Sequence, residues 1–326
     1  MNANRETINK TGYFLFSLDT ELAWGKFDKF SPGLFSEDGK RERQKIIRIL
    51  DILDEFNIIA TWAVLGHLFY AKCEECEPCP ILDWKGKYPV FESIYGTNHP
   101  LWYGVDIIEE ILARKTSHEI ALHGYTHRIF NHLTLEQATI EIQESLRMFM
   151  RKNVIPRTII FPRNNIAHLD LFHQFGFTCY RGEELVPKYY RMPLLGRVFR
   201  RSHYYLSAVT VPIVYDYKYD PSGLVNLPSS RWFFGFNQRV ERYLDALNLH
   251  LLRIHKMVKG VEKAAAEKKV IHIWTHPCEF KTEKDFDKLR YLFEAVSKQI
   301  TRGSIQSVGM ADLARKVFAS GISNRQ

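Results

Sequence analysis

Apolar and polar residues along this chain fall into blocks that switch between two periods. Tyr13-Phe14-Leu15-Phe16-Ser17-Leu18 is a short, nearly unbroken apolar run, the pattern of a buried strand, and it ends in the polar group Asp19-Thr20-Glu21. From Arg41 to Phe56 the apolar positions Ile46, Ile49, Leu50, Leu53 and Phe56 follow helical spacing, with Asn57 as a stop, and Ile58 to Val64 reads as the next strand. The stretch from about Tyr70 to Tyr103, rich in Cys, Pro, Gly and aromatic residues, holds no period and predicts a loop excursion. Val105 to Lys115 then predicts a helix, and Glu119 to Leu122 a strand that leads straight into His123-Gly124-Tyr125-Thr126-His127.

Thr134-Leu135-Glu136-Gln137 fits a capping box, in which the Thr and Gln side chains satisfy amides that a helix start leaves bare, and it opens a helix to about Lys152. A strand over Thr158 to Phe161, a helix over Ile166 to Phe175 with Gly176 as its cap, and a strand over Phe177 to Tyr180 follow. The pattern is irregular from about 181 to 237. A long helix spans about Arg239 to Lys268, Val270 to Thr275 is a strong strand, and a helix (Glu283 to Lys298), a strand (Ser304 to Val308) and a last helix from Met310 finish the chain. Such alternation predicts parallel strands joined by crossover helices, in one unit over residues 1–326, with chemistry gathered at the strands' C-terminal ends.

Composition argues against disorder as the default: 45% of the 326 residues are hydrophobic and 25% charged, enough apolar surface for a sizeable core. The net charge of +8 favours acidic partners without choosing among nucleic acid, anionic lipid and phosphorylated substrate. The first ten residues lack the apolar run of a secretory signal and no apolar stretch of about 18 residues follows, so a cytoplasmic chain is expected. Five cysteines suit reduced thiols better than a disulfide framework.

Three polar groups stand at strand ends. His123 and His127 are spaced so that one helical turn would present both imidazoles to one ion, and zinc accepts such nitrogens together with a carboxylate. Asp19 and Glu21 project to the same side of an extended chain, which suits one as metal ligand and the other as base. His276 follows the strand Val270 to Thr275, on the face of His272 and Trp274, where it could protonate a leaving group. Each pattern alone also fits ordinary solvated or backbone-bonded side chains.

Taken in order, Phe16-Ser17-Leu18-Asp19-Thr20-Glu21, Glu119 to His127, the Pro162-Arg163-Asn164-Asn165 segment and Ile271 to Pro277 resemble the polysaccharide deacetylase family, the NodB homology domain of carbohydrate esterase family 4. The resemblance implies a distorted (β/α) barrel with about seven parallel strands. It also implies a metal-dependent hydrolase that removes the N-acetyl group from an N-acetylhexosamine unit of a polysaccharide, oligosaccharide or lipid-linked sugar. By position, Asp19 matches the base, Glu21, His123 and His127 the ligands of one divalent ion (zinc, or cobalt or nickel), and His276 the acid. Glu21 stands where an Asp is usual, so its role and that of Asp19 are interchangeable at this point. Arg163 is expected to orient Asp19, although the family's arginine precedes its prolines, and the aromatic that goes with them is missing here.

Trp24, Asn165 and Trp274 are candidates for contact with the sugar. The cysteines at 73, 76 and 79 lack a fourth ligand for a zinc site and read as loop thiols. Basic and aromatic residues interleaved between Lys188 and Tyr205 could hold a lipid-linked phosphate at an anionic membrane, which would put the protein at the inner membrane surface; nucleic acid is the lesser fit. Two rival functions remain from the sequence: hydrolysis of a small cyclic or formyl amide on the same fold, and a non-catalytic membrane or nucleic-acid binding module whose metal site has decayed.

Overall fold

A computed structural model describes residues 11–26, 34–72, 75, 96, 99–186, 210–234 and 251–319. Ten strands are present among them: β1 (Gly12–Thr20), β2 (Thr61–Val64), β3 (Glu119–Leu122), β4 (Thr158–Ile159), β5 (Cys179–Tyr180), β6 (Lys218–Tyr219), β7 (Val225–Asn226), β8 (Arg231–Trp232), β9 (Val270–Thr275) and β10 (Ile305–Ser307). The helices are α1 (Lys40–Phe56), α2 (Val105–Leu112), α3 (Leu135–Met150), α4 (Leu169–Gln174), α5 (Leu252–Glu267), α6 (Glu283–Thr301) and α7 (Met310–Ala319).

The strands lie in the order β6-β7-β5-β4-β3-β2-β1-β9-β8, with β10 also on β1, and only the β6–β7 pairing is antiparallel. This is the curled, mostly parallel sheet expected of a distorted (β/α) barrel. One short span joins its two ends. The Leu227 amide donates to Tyr180 O (3.0 Å) and the Leu185 amide to Ser229 O (2.8 Å), so the span lies beside the chain that continues β5. A residue later the Ser230 amide donates to His272 O (2.7 Å) and the Phe233 amide to Trp274 O (2.8 Å), on β9. Residues 225–232 thus bridge β5 to β9.

Because successive strand residues point to opposite faces, β1 serves two environments. Phe14, Phe16 and Leu18 face the helices, where Phe293 of α6 meets Phe16 edge-on at 5.1 Å. Tyr13 and Leu15 pack inside with Ile160, Cys179, Val225, Val270 and α7 residues such as Met310 and Leu313. Further along the inner face come Ser17 and Asp19, and on β9 His272 and Trp274, so the lumen turns from apolar to polar toward the strands' C-terminal ends. At the opposite end the Glu119 carboxylate accepts from Thr61 Oγ1 (2.8 Å) and from the Ala311 amide (3.1 Å) in the first turn of α7, where a negative charge is stabilising.

Among the described residues the expected elements recur with two differences. The helix expected over Ile166 to Phe175 is only Leu169–Gln174, because His168 takes the left-handed conformation (φ 56°) at its start. The irregular region contains β6, β7 and β8, each two residues long and without room for a period of its own. The long helix is seen from Leu252; its expected start, the cysteines at 73, 76 and 79, and the basic-aromatic stretch at 188–205 lie outside the described residues. No helix among the described residues is long and apolar enough to cross a membrane.

Candidate active site

Three strand ends converge. Glu21 follows β1, and its Oε1 lies 3.0 Å from His123 Nε2 and 2.9 Å from His127 Nε2. All three side chains are buried. The His123 Nδ1 lies 2.6 Å from the Ile160 carbonyl oxygen, which only accepts, so Nδ1 carries the proton. A neutral His123 would then set a lone pair on Nε2 against the lone pairs of Glu21. Only a shared cation, a proton or a metal ion, reconciles that contact. Two imidazole nitrogens and one carboxylate oxygen within 4.8 Å of one another are a donor set that zinc accepts, and the Ile160 carbonyl gives His123 the outer partner typical of a metal-ligating histidine. Tetrahedral zinc would need the ligand atoms roughly 3.3 Å apart, a few tenths of an ångström wider than here. The residues fit the ion.

The two histidines do not share a helical turn. Residues 123–127 form a bent loop in which Gly124 (φ 85°) and His127 (φ 61°) are left-handed. Its carbonyls at Gly124 and Tyr125 accept from the Gly66 and His67 amides (2.9 and 3.0 Å). Its amides go to Glu141, buried on α3, which accepts from the Tyr125 amide (2.9 Å), the Thr126 amide (3.3 Å) and Thr126 Oγ1 (2.9 Å). Helix formation is displaced by this set of tertiary bonds.

Asp19, two residues before Glu21, is held by an arginine that the sequence reading missed. Arg181 Nη1 and Nη2 donate to its Oδ1 and Oδ2, both at 2.6 Å, the bidentate geometry in which two parallel bonds fix a carboxylate plane. Arg181 also donates to Ser17 Oγ (3.2 Å) and Asn164 Oδ1 (2.9 Å), and its guanidinium lies 4.4 Å from the Trp274 ring centre. The role given to Arg163 therefore falls to Arg181. Arg163 is exposed, on a left-handed turn (φ 54°), and its charge reaches His127 and Lys26 instead. From that turn it is Asn164 that points into the site. Burial by itself would raise the Asp19 carboxyl, but the Arg181 guanidinium outweighs it and holds the group below the usual range.

His276 completes the ring, with Nε2 3.9 Å from Asp19 Oδ2 and 3.8 Å from Glu21 Oε1. Its Nδ1 is 3.1 Å from Glu279 Oε1, an ion-pair approach and not an aligned hydrogen bond. The other Glu279 oxygen accepts from the His276 amide (3.1 Å), Thr275 Oγ1 (3.0 Å) and Trp232 Nε1 (2.8 Å). Burial opposes charge on the imidazole, yet Glu279, Glu21 and Asp19 together push it up to about 9. Glu21 itself is opposed by burial but held well below the usual range by His127 and His276.

The candidate sugar contacts separate. Trp24 is fully buried, donates to Trp102 O (3.0 Å) and packs on His67 and Trp102 with ring centres at 4.6 and 4.9 Å; it is core, because the distant segment Leu101–Trp102 covers it. Trp274 is 8% exposed, stacks on Trp232 at 5.7 Å, and lies 5.4 Å from His276. Asn165 is half-buried beside the site and bonds Asn131 (3.3 Å). Trp232, Glu279, Arg181 and Glu141 were not found from sequence. Arg181 directly follows a strand, so the strand-end rule that found the other groups would have reached it.

The family model described as polysaccharide deacetylase matches residues 27–163, a stretch that contains both loop histidines and ends before Arg181 and His276. No curated protein matches in a sequence search. Among solved structures, a candidate polysaccharide deacetylase from Mycobacterium smegmatis superposes with a TM-score of 0.55 at 17% identity, over 98% of this chain and 94% of the other. A 4-alpha-glucanotransferase from Thermococcus litoralis gives 0.52 at 14% identity, over 94% of this chain and 40% of its own. At these identities the likeness is one of fold.

Proposed function

We propose that this chain, whose residues 27–163 match the polysaccharide deacetylase family model and whose fold is that of a solved structure described as such a deacetylase, is a metal-dependent N-deacetylase acting on an N-acetylhexosamine unit. The observation that carries this reading is the convergence of Glu21, His123 and His127 on one point, with the Arg181-held Asp19 and His276 beside it.

A divalent ion on Glu21, His123 and His127 would polarise the acetyl carbonyl and make a water acidic enough to be activated near neutral pH. Asp19 is placed to take the proton of the attacking water. Its bidentate partner keeps it ionised and fixes its plane, so the base needs no reorientation when substrate arrives. On the other side, His276 is held charged by Glu279 and presents Nε2 inward, where it can donate to the departing amine. Trp274 and Trp232 wall the same side with apolar surface suited to a sugar face. The membrane-surface alternative draws on residues outside the described ones, and no observation favours it.

The test combines metal analysis with acetate release from N-acetylated oligosaccharides. About one divalent ion per chain is expected in the wild type and none in a folded His123→Ala, His127→Ala variant. Asp19→Asn should keep the ion and lose acetate release by about 100-fold or more. An ion-free wild type, even after zinc, cobalt or nickel is added, would overturn the metal reading; a fully active Asp19→Asn would overturn the base.

A further inference from the structure

Between His123 and His127 the backbone leaves regular structure while still buried, and such a segment must find partners for its polar groups. Here the partners come from two directions. The Gly66 and His67 amides take the carbonyls of Gly124 and Tyr125, and Glu141 takes the next two amides and a hydroxyl. Those three groups are all donors, and a carboxylate, which only accepts, matches them. The side that meets α3 has no slack: a Cβ on Gly66 would stand 2.9 Å from Ser145 Cα and from the Tyr125 ring. At the loop's end, His127 sits at φ 61°, a conformation that a residue with a Cβ keeps only when its surroundings impose it.

We propose that Glu141 is the positioning residue of the ion site. It holds the loop in the one shape that brings His127 Nε2 to Glu21, and so sets the affinity of the protein for a divalent cation without touching the ion. Arg128 Nε, 3.9 Å from Glu141 Oε1, helps to keep the carboxylate charged despite a burial that raises its pKa. The inference rests on the reading of Glu21, His123 and His127 as ligands, and extends it to a residue that lies on another element.

The test measures zinc affinity of metal-free protein by competition with a chromophoric chelator, in the wild type, Glu141→Ala, Glu141→Gln and Glu119→Gln. Removing an outer partner of a ligand typically weakens metal binding about 10–100-fold, and that loss is expected for Glu141→Ala. Glu141→Gln keeps an oxygen for the two amides and offers its NH2 to the Thr126 hydroxyl oxygen, so it should recover affinity to within a few-fold. Glu119→Gln, at the far end of the barrel, should lower the melting temperature and leave zinc affinity unchanged. If Glu141→Ala does not fold, Thr126→Val removes one of the three bonds and should still weaken zinc binding several-fold. Affinities that stay at the wild-type value in folded Glu141→Ala or Thr126→Val overturn the proposal. A wild type that binds no zinc overturns the metal reading itself, which is a different result.

Discussion

Arg181→Met tests the hold on Asp19 directly. Methionine keeps the apolar stem and removes the guanidinium, with both bonds to Asp19, at 2.6 Å each, those to Ser17 and Asn164, and the contact with the Trp274 ring. Both partners are almost wholly buried, with side-chain exposures of 0% and 5%, so water cannot replace the guanidinium. Breaking one side of a buried ion pair costs about 3–5 kcal/mol, because a charge is left without a partner. At a few degrees per kcal/mol, the melting temperature should fall by roughly 10 °C. The deficit should shrink in acid: an unpaired buried Asp19 has a folded-state pKa above its unfolded value, so the native chain takes up a proton first and is relatively stabilised as pH falls. Asp19→Leu with Arg181→Met removes both charges and should be more stable than Arg181→Met alone, with acetate release expected to be lost. The assay is urea unfolding of the four proteins of this double-mutant cycle at pH 7 and pH 5, with acetate release measured on the folded ones. Arg181→Met within about 1 kcal/mol of wild type, with no coupling to Asp19, would refute the reasoning.

Two further outcomes follow from the same geometry. His67, fully buried with its Nδ1 on the Trp102 carbonyl, has a pKa pushed down to about 4 by burial. The unfolded chain protonates it near 6.5 while the native one does not, so its contribution is complete above that pH and is lost between about 6.5 and 4, by about 3 kcal/mol in all. His67→Phe should flatten that part of the urea-stability profile; an unchanged slope would contradict the assignment. At Gly25, a Cβ would collide with the Glu21 carboxylate, so Gly25→Ala should leave the fold intact and weaken zinc binding by at least tenfold by chelator competition. Unaltered affinity would mean that Glu21 can serve the ion from another rotamer.

Which residues the sequence disclosed, and which it did not, has a physical basis. Asp19, Glu21, His123, His127 and His276 each end or follow a strand with a strong apolar run, and parallel strands bring their ends together. Glu141 lies within the amphipathic pattern of α3 as one more polar residue; only the loop folded against it shows its use. Trp24 has no local pattern at all, and its burial is decided by Leu101 and Trp102, far along the chain. The expected helical turn at His123–His127 failed because spacing constrains side chains, whereas the loop's shape is set by Gly66, His67 and Glu141. The two-residue strands β6 to β8 lie below the length at which periodicity speaks.

The span at residues 225–232 gauges the width of the mouth of the candidate site. Arg181 stands on one bank, after β5, and His276 on the other, after β9, and this one span is hydrogen-bonded to both banks, at Tyr180 and at His272 and Trp274. It fixes how far apart Arg181 and His276 stand, much as a spacer bar fixes the gap between two plates. A change that broke its bonds to either bank would therefore let that gap drift without touching any side chain of the site.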